Sequence, residues 1–454
     1  MELFGTAGIR GGVEREVTPE LALSVGRAVG RYARERGETE FVVGRDGRTT
    51  GTALAAAVEA GLESAGLDVA RAGVVPTPAL AFASRGRHGV VLTASHNPPG
   101  DNGIKLFADG VEFDRDAERA VEERVVAGTD PSPWDGWGDA VDEAILDRYR
   151  DAVVDYARNR GAPLAGLPVA VDCGNGVSAL GTPQVLRALG ARVVALNANV
   201  DGHFPGRASK PTPETLSDLR DFVADGEFAL GVGHDGDADR IVLVDSAGDV
   251  VHEDTVVAIL AERYVRESDV ADPVVVTTPN ASARIDERVR EAGGRVERVR
   301  LGALHEGVAA GRAAGGDVVF AAEPWKHVHP AFGGWIDGVV SAAVLARLVA
   351  ADSLDALRAP VTERPYRKVS VACPDDLKEA VMDRLETELP EAFPDASEDT
   401  EYGVRLERPD GSWVLVRPSG TEPYVRVYAE ADDVDALVAT ARDAVESAVD
   451  AASD

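Results

Sequence analysis

Short apolar runs alternate with helical patterns along this chain, and the alternation recurs. Residues 41–46 (Phe-Val-Val-Gly-Arg-Asp) read as a buried strand, followed by an alanine-rich helix from about 52 to 64. Residues 168–172 followed by 180–189 have the same form, as do 273–277 followed by 281–292. Strands alternating with helices predict βαβ units and mostly parallel sheets.

The recurrence extends beyond one strand and one helix. Pro76-Thr77-Pro78 opens a helical stretch that runs into the apolar residues 89–92, just before Ser95. Pro211-Thr212-Pro213 opens another, running into 228–232 before Asp235, and 317–320 leads into residues 322–326. Each unit thus ends a comparable strand in a polar loop. Ligands of open α/β sheets collect at the carboxyl ends of strands, so the three loops are expected to line one cleft. Chance likeness among generic α/β segments is the competing explanation. After these units the pattern changes in kind: a strand at 367–371, a helix at 375–388, a hairpin turning at Pro409-Asp410-Gly411, a strand at 424–428 and a last helix at about 434–449. Such an order predicts a small α+β domain, and the final Ala-Ala-Ser-Asp is expected to fray. The fold class is therefore α/β: three related domains at 1–150, 151–252 and 253–360 with mixed, mostly parallel sheets, and a smaller α+β domain at 361–454, around one central cleft.

Composition narrows the partners. Lys+Arg is 47 against Asp+Glu 78, a formal net charge of -31, which repels nucleic acid and anionic membranes. Lysine occurs only at Lys105, Lys210, Lys326, Lys368 and Lys378. An acidic, lysine-poor chain fits adaptation to high salt, as in a halophilic archaeon, with an ordinary acidic cytoplasmic protein as the alternative. Cys173 and Cys373 lie far apart, which points to neither a zinc ribbon nor a disulfide scaffold. The first residues show no basic-then-apolar leader, and the apolar run at 339–350 is interrupted by Arg347. A cytoplasmic location is expected.

The polar loops carry the chemistry. Thr93-Ala94-Ser95-His96-Asn97-Pro98 places a small nucleophile after an apolar run, without the G-x-S-x-G elbow of α/β hydrolases. A turn or capping serine is the plainer reading. Asp235, Asp237 and Asp239 alternate, so in an extended segment their carboxylates share one side and offer a hard oxygen cage to a divalent ion. Arg240 and Ser246 stand where an EF-hand needs glycine and glutamate, which removes the calcium-loop reading; a solvated acidic turn stays open. A serine oxygen together with a magnesium cage suggests phosphoryl transfer. Arg417-Pro418-Ser419-Gly420-Thr421-Glu422-Pro423 combines a guanidinium, two hydroxyls and a glycine, either a phosphate cradle or a plain turn. Residues 4–11 form another glycine-rich segment, containing the cation Arg10. Lys105 follows Ser95 closely; it either pairs with a phosphate, moves protons to and from a sugar hydroxyl, or lies on the surface.

With these residues in this order, the chain resembles the α-D-phosphohexomutase family along essentially its full length. The resemblance implies four domains around one cleft, Ser95 carried as a phosphoserine, and one magnesium ion held by Ser95, Asp235, Asp237 and Asp239. It implies that Arg10, His96 and Lys105 act beside the phosphoserine. Arg240, Glu323, Lys326 and Arg426 are expected to bind substrate, with Arg417, Ser419, Gly420 and Thr421 on the phosphate that does not react. The implied activity interconverts hexose 1- and 6-phosphates through a bisphosphate, in a monomer or homodimer. A bisphosphate synthase, a phosphatase or a non-catalytic sugar-phosphate binder are the alternatives. One segment departs from the family's pattern: many relatives have serine two residues after the glutamate, where Trp325 follows Glu323 here. The sugar, among glucosamine, mannose and glucose, is therefore left open.

Overall fold

The computed structural model describes residues 3–5, 8–419 and 422–453. Four sheets organise them, and the first three repeat one plan. In the first, the central strand Glu40–Arg45 lies parallel to Asp68–Val74 on one side and to His88–Leu92 on the other. The strand His88–Leu92 then turns back as the antiparallel strand Asp101–Ala108. The second sheet repeats this with Pro168–Asp172, Arg192–Leu196, Leu230–His234 and the returning strand Ile241–Val244. The third does so with Pro273–Thr277, Arg295–Arg298, Asp317–Glu323 and Lys326–Val328. In each, the polar loop foreseen from the sequence is the hairpin that joins the outer parallel strand to its antiparallel partner. The first sheet adds Ile9–Gly12 and Val111–Glu112 beside Asp101–Ala108, and Ala140–Asp142 on its far edge.

The strand sequences explain the packing. His88–Leu92 and Pro273–Thr277 are buried throughout, as expected of parallel strands covered on both faces. One apolar core runs through all three units, from Val42 and Val91 through Val171 and Val232 to Val275 and Phe320. The helix Gly338–Asp352 crosses this core and is buried on nearly all sides. Asp337 caps it, accepting from Val339 and Val340 N–H, and the buried Arg347 donates to the carbonyls of Arg158 and Arg160. Among the described residues no helix is long and apolar enough to cross a membrane. Both cysteines are free and buried.

The fourth sheet, Tyr366–Ala372, Tyr424–Glu430, Trp413–Pro418, Val404–Glu407 and Ser397–Asp399, is wholly antiparallel and has its own core. The tail does not fray as expected: the last helix runs Val434–Ser453, because Val445 and Ala448 bury its inner face. The fourth unit docks on the third through charged groups. Arg284 meets Glu430 at 2.7 Å with both side chains 1% exposed, and Trp413 Nε1 donates to the other Glu430 oxygen at 3.0 Å. Arg405 donates to the carbonyls of Pro279 and Ala281 and lies over the Trp413 ring.

Removing one member of a buried pair leaves the other charge uncompensated, which costs about 3–5 kcal/mol. Glu430→Gln should therefore lower the free energy of unfolding in urea by that amount. A loss below about 1 kcal/mol, the worth of an exposed pair, contradicts this account of the docking.

Candidate active site

The loop leaving His88–Leu92 holds Ser95 with φ 50, a left-handed conformation unusual for serine, and fully buried. Arg48 compels it. This guanidinium, itself 0% exposed, uses all five of its N–H donors. Two go from Nη2 to the carbonyls of Ser95 (2.9 Å) and Asn97 (2.8 Å). Two go from Nη1 to those of Pro98 (2.5 Å) and Asp101 (2.9 Å), and Nε donates to Asp46 at 3.1 Å. Asp46 also accepts from the Thr93 hydroxyl at 2.7 Å, whose oxygen accepts from Ser95 N–H at 2.9 Å. From the second unit, Ser209 donates to the Asn97 carbonyl at 3.0 Å. A side chain at Gly236 would place its Cβ 2.7 Å from the Ser95 carbonyl, so only glycine lets the two loops approach this closely.

Ser95 Oγ donates to Asp235 at 2.6 Å and lies 3.2 Å from His96 Nδ1. Asp235, Asp237 and Asp239 do converge, each offering an oxygen within 4.8 Å of the others and all buried. The geometry differs from the extended segment expected. Ala238 has φ 65, and the loop is a turn that folds the three carboxylates inward. Thr77 pins it across the units, donating its N–H to the Asp237 carbonyl and its hydroxyl to Asp237 Oδ2 at 2.7 Å. Lys105 arrives from the strand Asp101–Ala108, 3.0 Å from Asp239 and 3.5 Å from Asp237. Arg240 stands 3.7 Å from Asp235.

The electrostatics follow from that crowding. Burial pushes the Asp235 carboxyl well up, and the charges of Asp239 and Asp237 add to it. For Asp239 burial acts the same way, but Lys105, Lys326 and Arg240 outweigh it and hold the carboxyl low. Burial opposes the Lys105 ammonium; Asp239 and Asp237 overcome it and raise its pKa, so the lysine keeps its proton. His96 is driven down to about 3 by burial and then by Arg240 and Arg10. Asp237 Oδ1 and Asp239 Oδ1 are buried with no hydrogen-bond donor, and Arg10 Nε and Arg240 Nε with no acceptor. Such groups are costly to leave unmet. Two bare carboxylate oxygens beside Ser95 are a donor set that a hard divalent cation completes, and the neighbouring guanidinium N–H groups suit an anion.

The third loop closes over this centre. Arg240 bridges Lys326, and Ile241 N–H donates to the Trp325 carbonyl at 3.0 Å. Glu323 and Lys326 line a cleft with Lys105 and Asp239. Glu323 Oε1 already accepts from Gly302 N–H at 2.5 Å, while Oε2 lies 3.7 Å from Lys326. Trp325 does not offer its face to the cleft. With φ 66 its side chain packs against the core around Leu216, Leu219 and Val242. The fourth loop stands apart, and no contact among the described residues ties it to Ser95. Gly420 and Thr421 lie outside the described residues. Arg417 and Arg426 are register partners on adjacent strands, each with a buried, unpartnered nitrogen. Ser419 N–H donates to the Tyr424 carbonyl, and Lys378 donates to the carbonyls of Ser419 (2.6 Å) and Glu422 (2.7 Å). Sequence reasoning missed Arg48, Asp46, Thr77 and Lys378; the charged Arg45-Asp46-Gly47-Arg48 at the end of a strand was the signal for the first two.

Family models described as phosphoglucomutase/phosphomannomutase match the chain in three places: alpha/beta/alpha domain I over residues 1–131, domain II over 147–248 and the C-terminal domain over 377–447. The chain is 43% identical over 440 residues to a phosphopentomutase of Thermococcus kodakarensis, covering 95% of this chain and 94% of that one. It is 44% identical over 439 residues to a probable phosphoglucosamine mutase of Methanopyrus kandleri, covering 94% of each. A phosphoglucomutase/phosphomannomutase family protein from Burkholderia thailandensis superposes with a TM-score of 0.87 at 28% identity, over 100% of this chain and 98% of that one. Fold and site define a phosphosugar-mutase enzyme. The chain belongs to the α-D-phosphohexomutase family.

Arg48→Lys keeps the charge but has three donors where five are used. Losing two charge-assisted bonds of about 1.5–3 kcal/mol each should destabilise the serine loop by about 3 kcal/mol or more. Stability should fall by that amount and mutase turnover at saturating substrate should fall with it. Wild-type values for both measurements contradict the assignment.

Proposed function

We propose that this chain is a magnesium-dependent phosphohexomutase that interconverts hexose 1-phosphates and hexose 6-phosphates through a phosphorylated Ser95 and a hexose 1,6-bisphosphate. The observation that carries this reading is the placement of Ser95 Oγ, 2.6 Å from Asp235, beside two buried carboxylate oxygens that lack any donor. Asp235, Asp237 and Asp239, with a phosphate oxygen on Ser95, would hold one magnesium ion, which offsets charge on the transferred group.

The chain's own groups account for the rest. The bond from phosphorus to Ser95 Oγ breaks as a bond forms to the free sugar hydroxyl, and the proton that hydroxyl loses is the one Ser95 Oγ regains. The bisphosphate then turns over in the cleft, and its other phosphoryl group returns to Ser95. Lys105, held as an ammonium by Asp239 and Asp237, meets the migrating group as a fixed charge and not as a base. Arg10, Arg240 and His96 surround the same point. Glu323 Oε2 and Lys326 address sugar hydroxyls, while Arg417, Ser419 and Arg426 hold the phosphate that does not react. Gly420 and Thr421 complete that assignment from the sequence alone. Relatives are named phosphoglucosamine mutases, which supports glucosamine phosphate first among the sugars.

Intact-mass analysis of active protein should show one phosphate, absent from Ser95→Ala together with nearly all turnover. An active Ser95→Ala enzyme would sink the reading. Side-by-side assays on glucosamine, mannose, glucose and pentose phosphates then rank the substrates.

Asp237→Asn keeps size and removes one charge. The magnesium concentration for half-maximal activity should rise at least tenfold, with the ion's calorimetric affinity falling in parallel; a tenfold change corresponds to about 1.4 kcal/mol. Turnover that survives exhaustive chelation of the wild-type enzyme contradicts the metal assignment.

A further inference from the structure

Each aspartate of the acidic turn has an oxygen already committed to the protein. On Asp237, Oδ2 accepts from the Thr77 hydroxyl at 2.7 Å, with Lys105 Nζ 3.5 Å from the same oxygen. On Asp239, Oδ2 accepts from Lys105 at 3.0 Å. Asp235 Oδ1 accepts from Arg240 N–H at 3.2 Å, and its Oδ2 from Ser95. Oδ1 of Asp237 and Oδ1 of Asp239 are left over, buried without a donor among the described residues.

Thr77 is the member of this set with no role in the chemistry above. It opens the helix Thr77–Ala83 in the first unit and is buried. Two bonds join it to Asp237: N–H to the carbonyl at 3.0 Å, and hydroxyl to Oδ2. The first fastens the units without help from the side chain. The second acts on the carboxylate alone and fixes which oxygen faces the other aspartates. The second unit has the same Pro-Thr-Pro sequence, yet there the Thr212 hydroxyl stays in its own turn, accepting from Thr215 N–H at 3.3 Å. The reach across units belongs to Thr77 and not to the motif.

A carboxylate with one oxygen tied down offers a metal ion the other oxygen only. Magnesium demands a small, near-octahedral shell, which single oxygens supply. Calcium is larger, takes more oxygens and often gains them by gripping both oxygens of one carboxylate. We propose that Thr77 is a positioning residue that sets the ion selectivity of the site: by holding Asp237 Oδ2 it restricts Asp237 to one ligand oxygen and so favours magnesium over calcium. The inference rests on the magnesium reading above and adds to it a residue that makes the choice. Lys105 restrains Asp239 in the same way, but it also meets the migrating group, so Thr77 is the cleaner place to test.

The test titrates chelator-stripped protein with magnesium chloride or calcium chloride in a calorimeter, at about 1 M potassium chloride to screen the acidic surface. Intact mass is used to match the phosphate content of the samples. Wild type should bind calcium at least about tenfold more weakly than magnesium. T77V keeps the branched shape and the backbone bond but loses the hydroxyl. It should shrink that ratio about tenfold or more, the usual effect of removing the partner behind a metal ligand. T77S keeps the hydroxyl and should keep the wild-type ratio. If Thr77 only fastens the units, T77V weakens both ions alike and the ratio stands. That result, or a T77S that behaves like T77V, overturns this inference and spares the mutase reading. Equal affinity for the two ions in the wild type, a measurement that needs no variant, does the same. A wild type that binds neither ion overturns the magnesium assignment as well.

Discussion

Three buried carboxylates within one turn are tolerable only if cations reach them; Arg240 comes from the same turn, and the two lysines come from other units. Asp235, Asp237 and Asp239 belong to the second sheet's hairpin, Lys105 to the first and Lys326 to the third. Isolated, the second unit would hold three carboxylates with only the Arg240 guanidinium beside them, and uncompensated buried charge costs several kcal/mol per ion even after relaxation. Joined, the units share one charge cluster. Three hydrogen bonds between units fall in the same place: Thr77 to Asp237, Ile241 to Trp325, Ser95 to Asp235. The site is thus also one of the joints of the first three units.

Arg48 does for the serine loop what the lysine does for the acidic turn. A loop that leaves a buried strand carries carbonyls that no ladder satisfies. Four of them converge on one guanidinium, whose planar fork suits several acceptors at once in a way an ammonium does not. Burial pushes the Asp46 carboxyl up to about 6 against the pull of Arg48, so it is still largely ionised at neutral pH and holds the fork in place. The left-handed backbone at Ser95 is the consequence. Strain of this kind persists only where the surroundings over-determine it, and here they fix where the nucleophile points.

How much of this was legible depended on how far apart the cooperating residues lie in the chain. Ser95 and the three aspartates were legible because each sits in a contiguous motif whose spacing carries its chemistry. The three-unit plan was legible because parallel strands need helical crossovers and leave a periodic trace. Arg48 and Thr77 act on partners in distant segments, and no local pattern marks such a pairing. Two features escaped for backbone reasons. Alternation places the aspartates on one side only of an extended segment, but positive φ at Ala238 makes a turn of it. At Trp325, where the chain departs from the family's pattern, φ is also positive, and the ring packs on the second unit's core. A residue's type does not reveal which way a strained hairpin aims it.

The acidic exterior makes the local arrangement decisive. With a net charge of -31, the chain's long-range field opposes every sugar phosphate that approaches. That field is screened beyond about 10 Å at 0.1 M ionic strength, and beyond about 3 Å at 1 M. Contacts such as Lys105 to Asp239 at 3.0 Å, both sides buried, are screened far less. Rising salt therefore removes the repulsion before it weakens the cluster. Two of the chain's five lysines, Lys105 and Lys326, stand in this one cleft. Attraction for an anionic substrate is thus concentrated where geometry can use it, and the rest of the surface contributes only a barrier that salt lowers.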